Sequence, residues 1–228
     1  MRKDFGKKTW MYPLPVLLIG SYDDHNNADV MNAAWGGIYD SDKVVLCLSA
    51  GHKTTANIKS RQAFTVSFAD AAHVVAADYV GLASANNTPD KMEKSGFHTI
   101  KSAHVDAPLI DEMPLTMECR LIKVNEDGNI IGEIVNVSVD ESILSEEGTI
   151  DLTKFEPIVF DPANAAYVKL GEKVGNAFSE VKRGVFNGKA FCSMSYVHIP
   201  GREDRRRLYD RSQGSACPGY LWKAPGIL

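Results

Sequence analysis

Apolar residues in this chain come in short runs, each closed by glycine, proline, asparagine or aspartate. Val16 to Tyr22 is mostly apolar and predicts a strand. DDHNNAD (23–29) has turn chemistry, because Asp and Asn side chains bond their own backbone. VMNAAWGGIY (30–39) predicts a second strand, whose glycines let another backbone or a ligand come close. The two strands and the turn between them read as a hairpin. Val44 to Ser49 and AFTVSFA (63–69) predict two more strands, with a short helix over Thr54 to Ser60 between them.

The second half continues the pattern. HVVAADYVG (73–81) predicts a short helix. NNTPDKMEKSGF (86–97) carries a helix start and stop: Thr88 to cap, Pro89 at the first position, Gly96 at the end. FHTIKSA (97–103) and Pro114 to Val124 predict strands. Asp127-Gly128 is a turn signal, and the alternating IIGEIVNVSVD (130–140) is the hairpin partner beyond it. DLTKF (151–155) is a single helical turn, and PIVFD (157–161) and AAYVKLG (165–171) are short last strands. Many short strands, few short helices and no β-α-β rhythm predict a mainly β, α+β chain. The architecture expected is a β-barrel or sandwich with helical insertions.

Composition narrows the function. The 228 residues are 44% hydrophobic and 24% charged, a globular balance. A formal net charge of −4 gives no general drive toward nucleic acid or an anionic membrane, so any anion site is local. No apolar run reaches the length of a membrane span. The apolar stretch at 13–20 is short, holds two prolines and lacks a cleavage site, so it does not read as a signal peptide. Cys47, Cys119, Cys192 and Cys217 form no C-x-x-C pair, which predicts a reduced, cytoplasmic setting. From Lys189 onward seven basic residues stand against three acidic ones, about +4, leaving about −8 for the rest. Residues 188–228 also lose strand and helix periodicity. They read as a disordered or non-native extension, or alternatively as an RNA- or partner-binding arm.

Familiar catalytic signatures are missing. The six histidines show no metal-ligand spacing, and no G-x-S-x-G or G-x-G-x-x-G occurs at a strand-to-helix turn. Paired carboxylates such as Asp23-Asp24 read as solvated turns. With no acid, base or nucleophile set, a bound cofactor is expected to carry any chemistry. Two stretches could hold one. Gly51 to Ile58 joins a strand to a helix, where backbone N–H groups, Lys53 and the Thr54 and Thr55 hydroxyls can gather round a phosphate. The competing explanation is a helix capped by Thr54 or Thr55 with Lys53 solvated. NAAWGG (32–37) can line a flat pocket, Asn32 with its amide and Trp35 with its ring. Alternatively Trp35 is a core residue.

These pieces together resemble the flavin reductase-like family, the FMN-binding split β-barrels that include flavoredoxins. YPLPVLLIGSYD resembles the family's opening strand. The stretch from ADVMNAAWGG through LCLSAGHKTTANIKSRQAFTVSFAD resembles its central FMN-binding region. DYVGLASANNTPDKMEKSGF resembles a helical excursion, and APLIDEMPLTMECRLIK, GNIIGEIVNVSVDESIL and YVKLGEKVGNAF resemble the later strands and the end. The likeness runs from about residue 8 to 179, so 1–187 is taken as the family domain and 188–228 as a tail without counterpart.

The resemblance implies a split β-barrel homodimer with FMN near the subunit interface. It implies Asn32, Ala33 and Trp35 beside the flavin, with Cys47 and Ser49 lining the same pocket. It also implies His52, Lys53, Thr54 and Thr55 at the phosphate, and Lys91 reaching in from the excursion. Arginine is common near 52 or 53 in the family. Lysine here supplies the charge without arginine's fork. The activity implied is NAD(P)H-dependent flavin reduction, with the nicotinamide a transient donor and electrons passing to free flavin or a protein acceptor. The alternatives are flavoredoxin-type electron transfer on tightly bound FMN and a non-catalytic flavin-binding module.

Overall fold

A computed structural model describes residues 1–177. The 188–228 extension expected from composition lies outside the described residues. Met1–Leu170 forms one compact unit.

In chain order the unit begins with β1 (Leu14–Pro15), β2 (Leu17–Tyr22), β3 (Ala28–Ala33), β4 (Gly36–Asp40) and β5 (Lys43–Leu46). Helix α1 (Lys53–Arg61), β6 (Ala63–Phe68), α2 (Val74–Leu82) and α3 (Lys91–Ser95) follow. Then come β7 (Thr99–Lys101), β8 (Pro108–Ile110), β9 (Leu115–Val124) and β10 (Ile130–Val139). A short 3₁₀ turn (Glu141–Ile143) leads to α3's successor α4 (Leu152–Phe155), β11 (Ile158–Asp161) and β12 (Ala166–Lys169).

The main sheet has seven strands in the order β3-β2-β6-β9-β10-β5-β4. Every neighbouring pair is antiparallel. Its two outermost strands, β3 and β4, are consecutive in the chain and separated only by Ala34 and Trp35. A flat seven-stranded sheet would hold its edges about 29 Å apart, at about 4.8 Å per strand. Two linking residues span at most about 11 Å. The sheet must therefore curl until its edges nearly meet. No ladder joins β3 to β4, so the barrel stays split there and closes only at the corner.

That corner corrects the expectation of one strand over 30–39. The chain leaves β3, turns at residues 34–35, and pairs as β4 with β5. Gly36 makes the passage possible. A Cβ there would lie 2.9 Å from both Leu17 Cδ1 and Leu46 Cδ2, and 3.1 Å from the Val45 carbonyl. The 86–97 helix is also shorter than its signals predict, spanning only α3. Ser84 and Thr88 carbonyls close turns first, and Asp90, not Thr88, takes the N-cap position. Gly96 ends it in the left-handed region at φ 74°, as a C-terminal glycine should.

Two cores explain the strand patterns. Leu17, Ile19, Ala33, Val44, Leu46, Phe64, Val66 and Ile130 fill the barrel interior, with Ile58 of α1 inserted among them. Val16, Leu18 and Val30 face the other way, against Ala77 and Val80 of α2 and Ile158 of β11. β2 is thus buried on both faces, which is why its run is continuously apolar rather than alternating.

Candidate functional site

The barrel corner and the start of α1 lie together. The Cys47 N–H donates to the Trp35 carbonyl at 2.8 Å, tying the segment after β5 to the 34–35 turn. Cys47 and Ser49 are exposed there, and Trp35 is 55% exposed. Trp35 is therefore not a core residue. It lines a surface cleft with Trp10, Met11 and Leu14. Strand periodicity separates its neighbours: Ala33 packs into the barrel core, while Asn32 points to the opposite face, toward α2. What these residues share at the corner is backbone.

Helix α1 begins after His52, and no side chain caps it. The Thr55 hydroxyl donates to the Ser49 carbonyl at 2.8 Å, and the Thr54 hydroxyl donates to Asp29 at 2.5 Å. Both threonines turn inward and are buried, so neither is the cap that the competing explanation required. The first turn holds no acidic residue, and Lys53 sits in it half-buried. A helix start with free N–H groups, a lysine and no acidic residue of its own favours an anion on its exposed side. The excursion reaches the same loop, since the Asn86 amide donates to the Gly51 carbonyl at 3.1 Å.

Asp29 is a hub that the sequence hid inside a turn-like string. Besides Thr54 it receives Lys91 Nζ at 3.0 Å. Asp29, Thr54 and Lys91 are 4%, 1% and 3% exposed. Lys91, expected to reach a cofactor from the excursion, lies behind the α1 start with its ammonium engaged by the Asp29 carboxylate. The three groups fasten α1 and α3 to β3.

A second cleft, of about 230 Å³, opens on the α2 side of the corner. Asn32 Nδ2 donates to the Ala77 carbonyl at 3.0 Å and to the Tyr167 hydroxyl at 3.4 Å. The Tyr167 hydroxyl donates to Asp78 at 2.7 Å. Burial first, then the Asp78 carboxylate, pushes the Tyr167 phenol up to about 12, so it stays a donor at physiological pH. Neither Tyr167 nor Asp78 carries a sequence signal, because Tyr167 stands 135 residues from Asn32. Among the described residues no group of His, Cys, Asp and Glu could hold a metal.

Residues 9–164 match the family described as flavin reductase like domain. The chain belongs to that family. It is a family of flavin-binding oxidoreductases, and the curled, corner-closed sheet is its split barrel. Flavoredoxin of Desulfovibrio vulgaris (Miyazaki F) is 39% identical, with a TM-score of 0.76 over 78% of this chain and 98% of its own. Flavoredoxin from Methanosarcina acetivorans is 25% identical, with a TM-score of 0.71 over 80% and 98%. Nitrilotriacetate monooxygenase component B from Bacillus cereus shares the fold, at 23% identity and a TM-score of 0.62 over 73% and 88%. Within the flavin reductase-like frame, residues 32–35, 47–55 and 91 are the stretches to weigh as a flavin site. Among the described residues no helix is long and apolar enough to cross a membrane.

Proposed function

We propose that this protein binds FMN at the barrel corner and works as an NAD(P)H-dependent flavin reductase. The observation that carries it is the start of α1, uncapped by any side chain, with Lys53 and no acidic residue in its own first turn, tied beside the 34–35 corner. The ribityl phosphate would take the N–H groups of Lys53, Thr54 and Thr55 and the Lys53 ammonium. His52, exposed at the N-cap, would join them. The buried hydroxyls of Thr54 and Thr55 would support the phosphate from behind, by fixing the helix start to Asp29 and Ser49. Lys91 would act the same way through Asp29.

The backbone of Asn32, Ala33 and Trp35, with Cys47 and Ser49 opposite, would line the edge of the ring. Bound FMN supplies hydride acceptance from NADH or NADPH and onward transfer to free flavin or a protein acceptor. No side chain need serve as acid or base. Exposed Trp35, Ile38 and Tyr39 form an apolar rim that fits burial by a second copy, in a homodimer. Free thiols at Cys47 and Cys119 fit a reducing, cytoplasmic compartment.

A flavoredoxin-type role, with FMN held tightly and reduced by another protein, is the second reading. The 39%-identical flavoredoxin favours it. The visible spectrum of the purified protein tests both, since a colourless protein that does not quench FMN fluorescence binds no flavin. Stopped-flow mixing with NADH and NADPH separates them: reduction too slow for turnover with either leaves only the electron-transfer role.

Lys53→Ala should raise the FMN dissociation constant about ten- to a hundredfold, because a hydrogen bond to a charged group contributes about 1.5–3 kcal/mol. Fluorescence titration reads it. Unchanged affinity would place the phosphate elsewhere.

A further inference from the structure

Residues 1–13 precede the barrel strands and are all exposed. Arg2, Lys3, Lys7 and Lys8 stand there against Asp4 alone. Phe5, Trp10, Met11 and Tyr12 are exposed among them. We propose that this arm is the docking surface for an acidic protein, the electron partner of the neighbouring corner. That electrons pass there rests on the flavin reading. The docking itself rests on the arm's own residues.

The arm is tied down rather than free. The Tyr12 hydroxyl donates to the Asp161 carboxylate at the end of β11. Gly6, left-handed at φ 66°, bends the chain, and the Phe5 and Trp10 rings meet with centroids 5.0 Å apart and planes tilted by 60°. Lys3 Nζ lies 5.4 Å from the centre of the Phe5 ring, and Lys8 Nζ lies 5.7 Å from that of Trp10. The ring faces thus hold two ammonium groups at the surface. A basic segment that is merely solvated has no need of exposed rings. Clustered aromatic side chains are the ones that anchor protein interfaces.

Place and charge choose the occupant. Lys8, Thr9, Trp10 and Met11 line one cleft with Trp35, so a partner on the arm sits beside the barrel corner. Residues 1–12 carry a net +3, while residues 13–177 hold twelve basic and twenty-four acidic residues, a net −12. The arm is a cationic patch on an anionic body. A flat anionic membrane would face the body as well as the arm and be repelled. An acidic protein can touch the arm alone, since charges beyond about 8 Å are largely screened at physiological salt. Opposite charge at such a patch speeds encounter and sets its orientation.

The test takes an acidic [2Fe–2S] ferredoxin as the probe and the full chain saturated with FMN. Isothermal calorimetry at low salt should show binding that weakens about tenfold or more at physiological salt. Reversing Lys3→Glu, Lys7→Glu and Lys8→Glu together should weaken it as much at low salt. Trp10→Ala should weaken it about fivefold or more, as loss of an anchoring side chain does. Lys101→Glu with Lys123→Glu, both exposed on the body, should leave it within about twofold.

No binding of ferredoxin, binding that survives the triple reversal, or an equal loss in the Lys101, Lys123 variant would overturn the proposal. So would arm-dependent binding to phosphatidylserine vesicles at physiological salt, which would make the arm a membrane contact. A change of oligomeric state in the triple variant, read by sedimentation, would also overturn it by placing the arm between copies. A protein that takes no FMN would count against the flavin reading alone. Ferredoxin binding by that FMN-free chain would still decide the arm.

Discussion

Asp29→Ala should cost about 3–5 kcal/mol of folding stability, the usual loss when one partner of a buried ion pair is removed. Asp29 holds the Lys91 ammonium at 3.0 Å and the Thr54 hydroxyl at 2.5 Å, all three nearly inaccessible to water. Without the carboxylate, a buried ammonium keeps no opposite charge, and Lys91 must either lose its proton or pull α3 outward. The double variant Asp29→Ala, Lys91→Met should recover part of the loss, because a buried pair is often replaceable by apolar side chains. Urea midpoints at constant slope would measure both. If the double variant is no more stable than the single one, the unpaired ammonium is not the cause. Flavin affinity should fall in Asp29→Ala as well, although a carboxylate has the wrong sign to touch a phosphate. It acts by holding the helix start in place.

Raising the pH from 9 to 12 should remove up to about 4 kcal/mol through one thiol. Burial first, then the neighbouring Glu118 charge, pushes Cys119 from 9.0 up to about 12. An unfolded thiol ionises near 9, while the folded one stays protonated to about 12. Between these values the unfolded chain binds fewer protons, so stability falls as pH rises, at about 1.4 kcal/mol per unit. Below about 9 the contribution is complete. Tyr167 adds a loss of the same sign between 10 and about 12. Cys119→Ala should lower stability at neutral pH through its cavity but flatten the alkaline slope. Parallel pH profiles for the two proteins would sink this assignment.

Much of the β framework was legible because burial writes itself into periodicity. β2 reads as a continuous apolar run and β10 as an alternation, and the Asp127-Gly128 turn, with Gly128 at φ 84°, places β9 as the hairpin partner of β10. The fate of β4 was not legible. Alternation reports that a segment has a buried face, not which sheet edge it joins, and a two-residue corner looks like continuous strand. The same limit applies at the site. A strand-to-helix loop rich in Lys and Thr points to an anion, yet the threonine hydroxyls turn inward because Asp29 and the Ser49 carbonyl need partners. Asp29 sat in a string that reads as a turn, and the Asn32–Tyr167 contact depends on the last strands folding back over α2. Sequence spacing carries no trace of such a contact.

The split between β3 and β4 also bears on how the chain reaches this state. Ile130 must find Leu46, and Thr116 must find Ser67, before the two edges can approach each other. Such distant pairings are entropically slow. Until they form, β3 and β4 are open strand edges carrying exposed Ile38 and Tyr39, the surface on which half-made chains would aggregate. Closure of the corner thus comes late in assembly, and the pocket would be completed last.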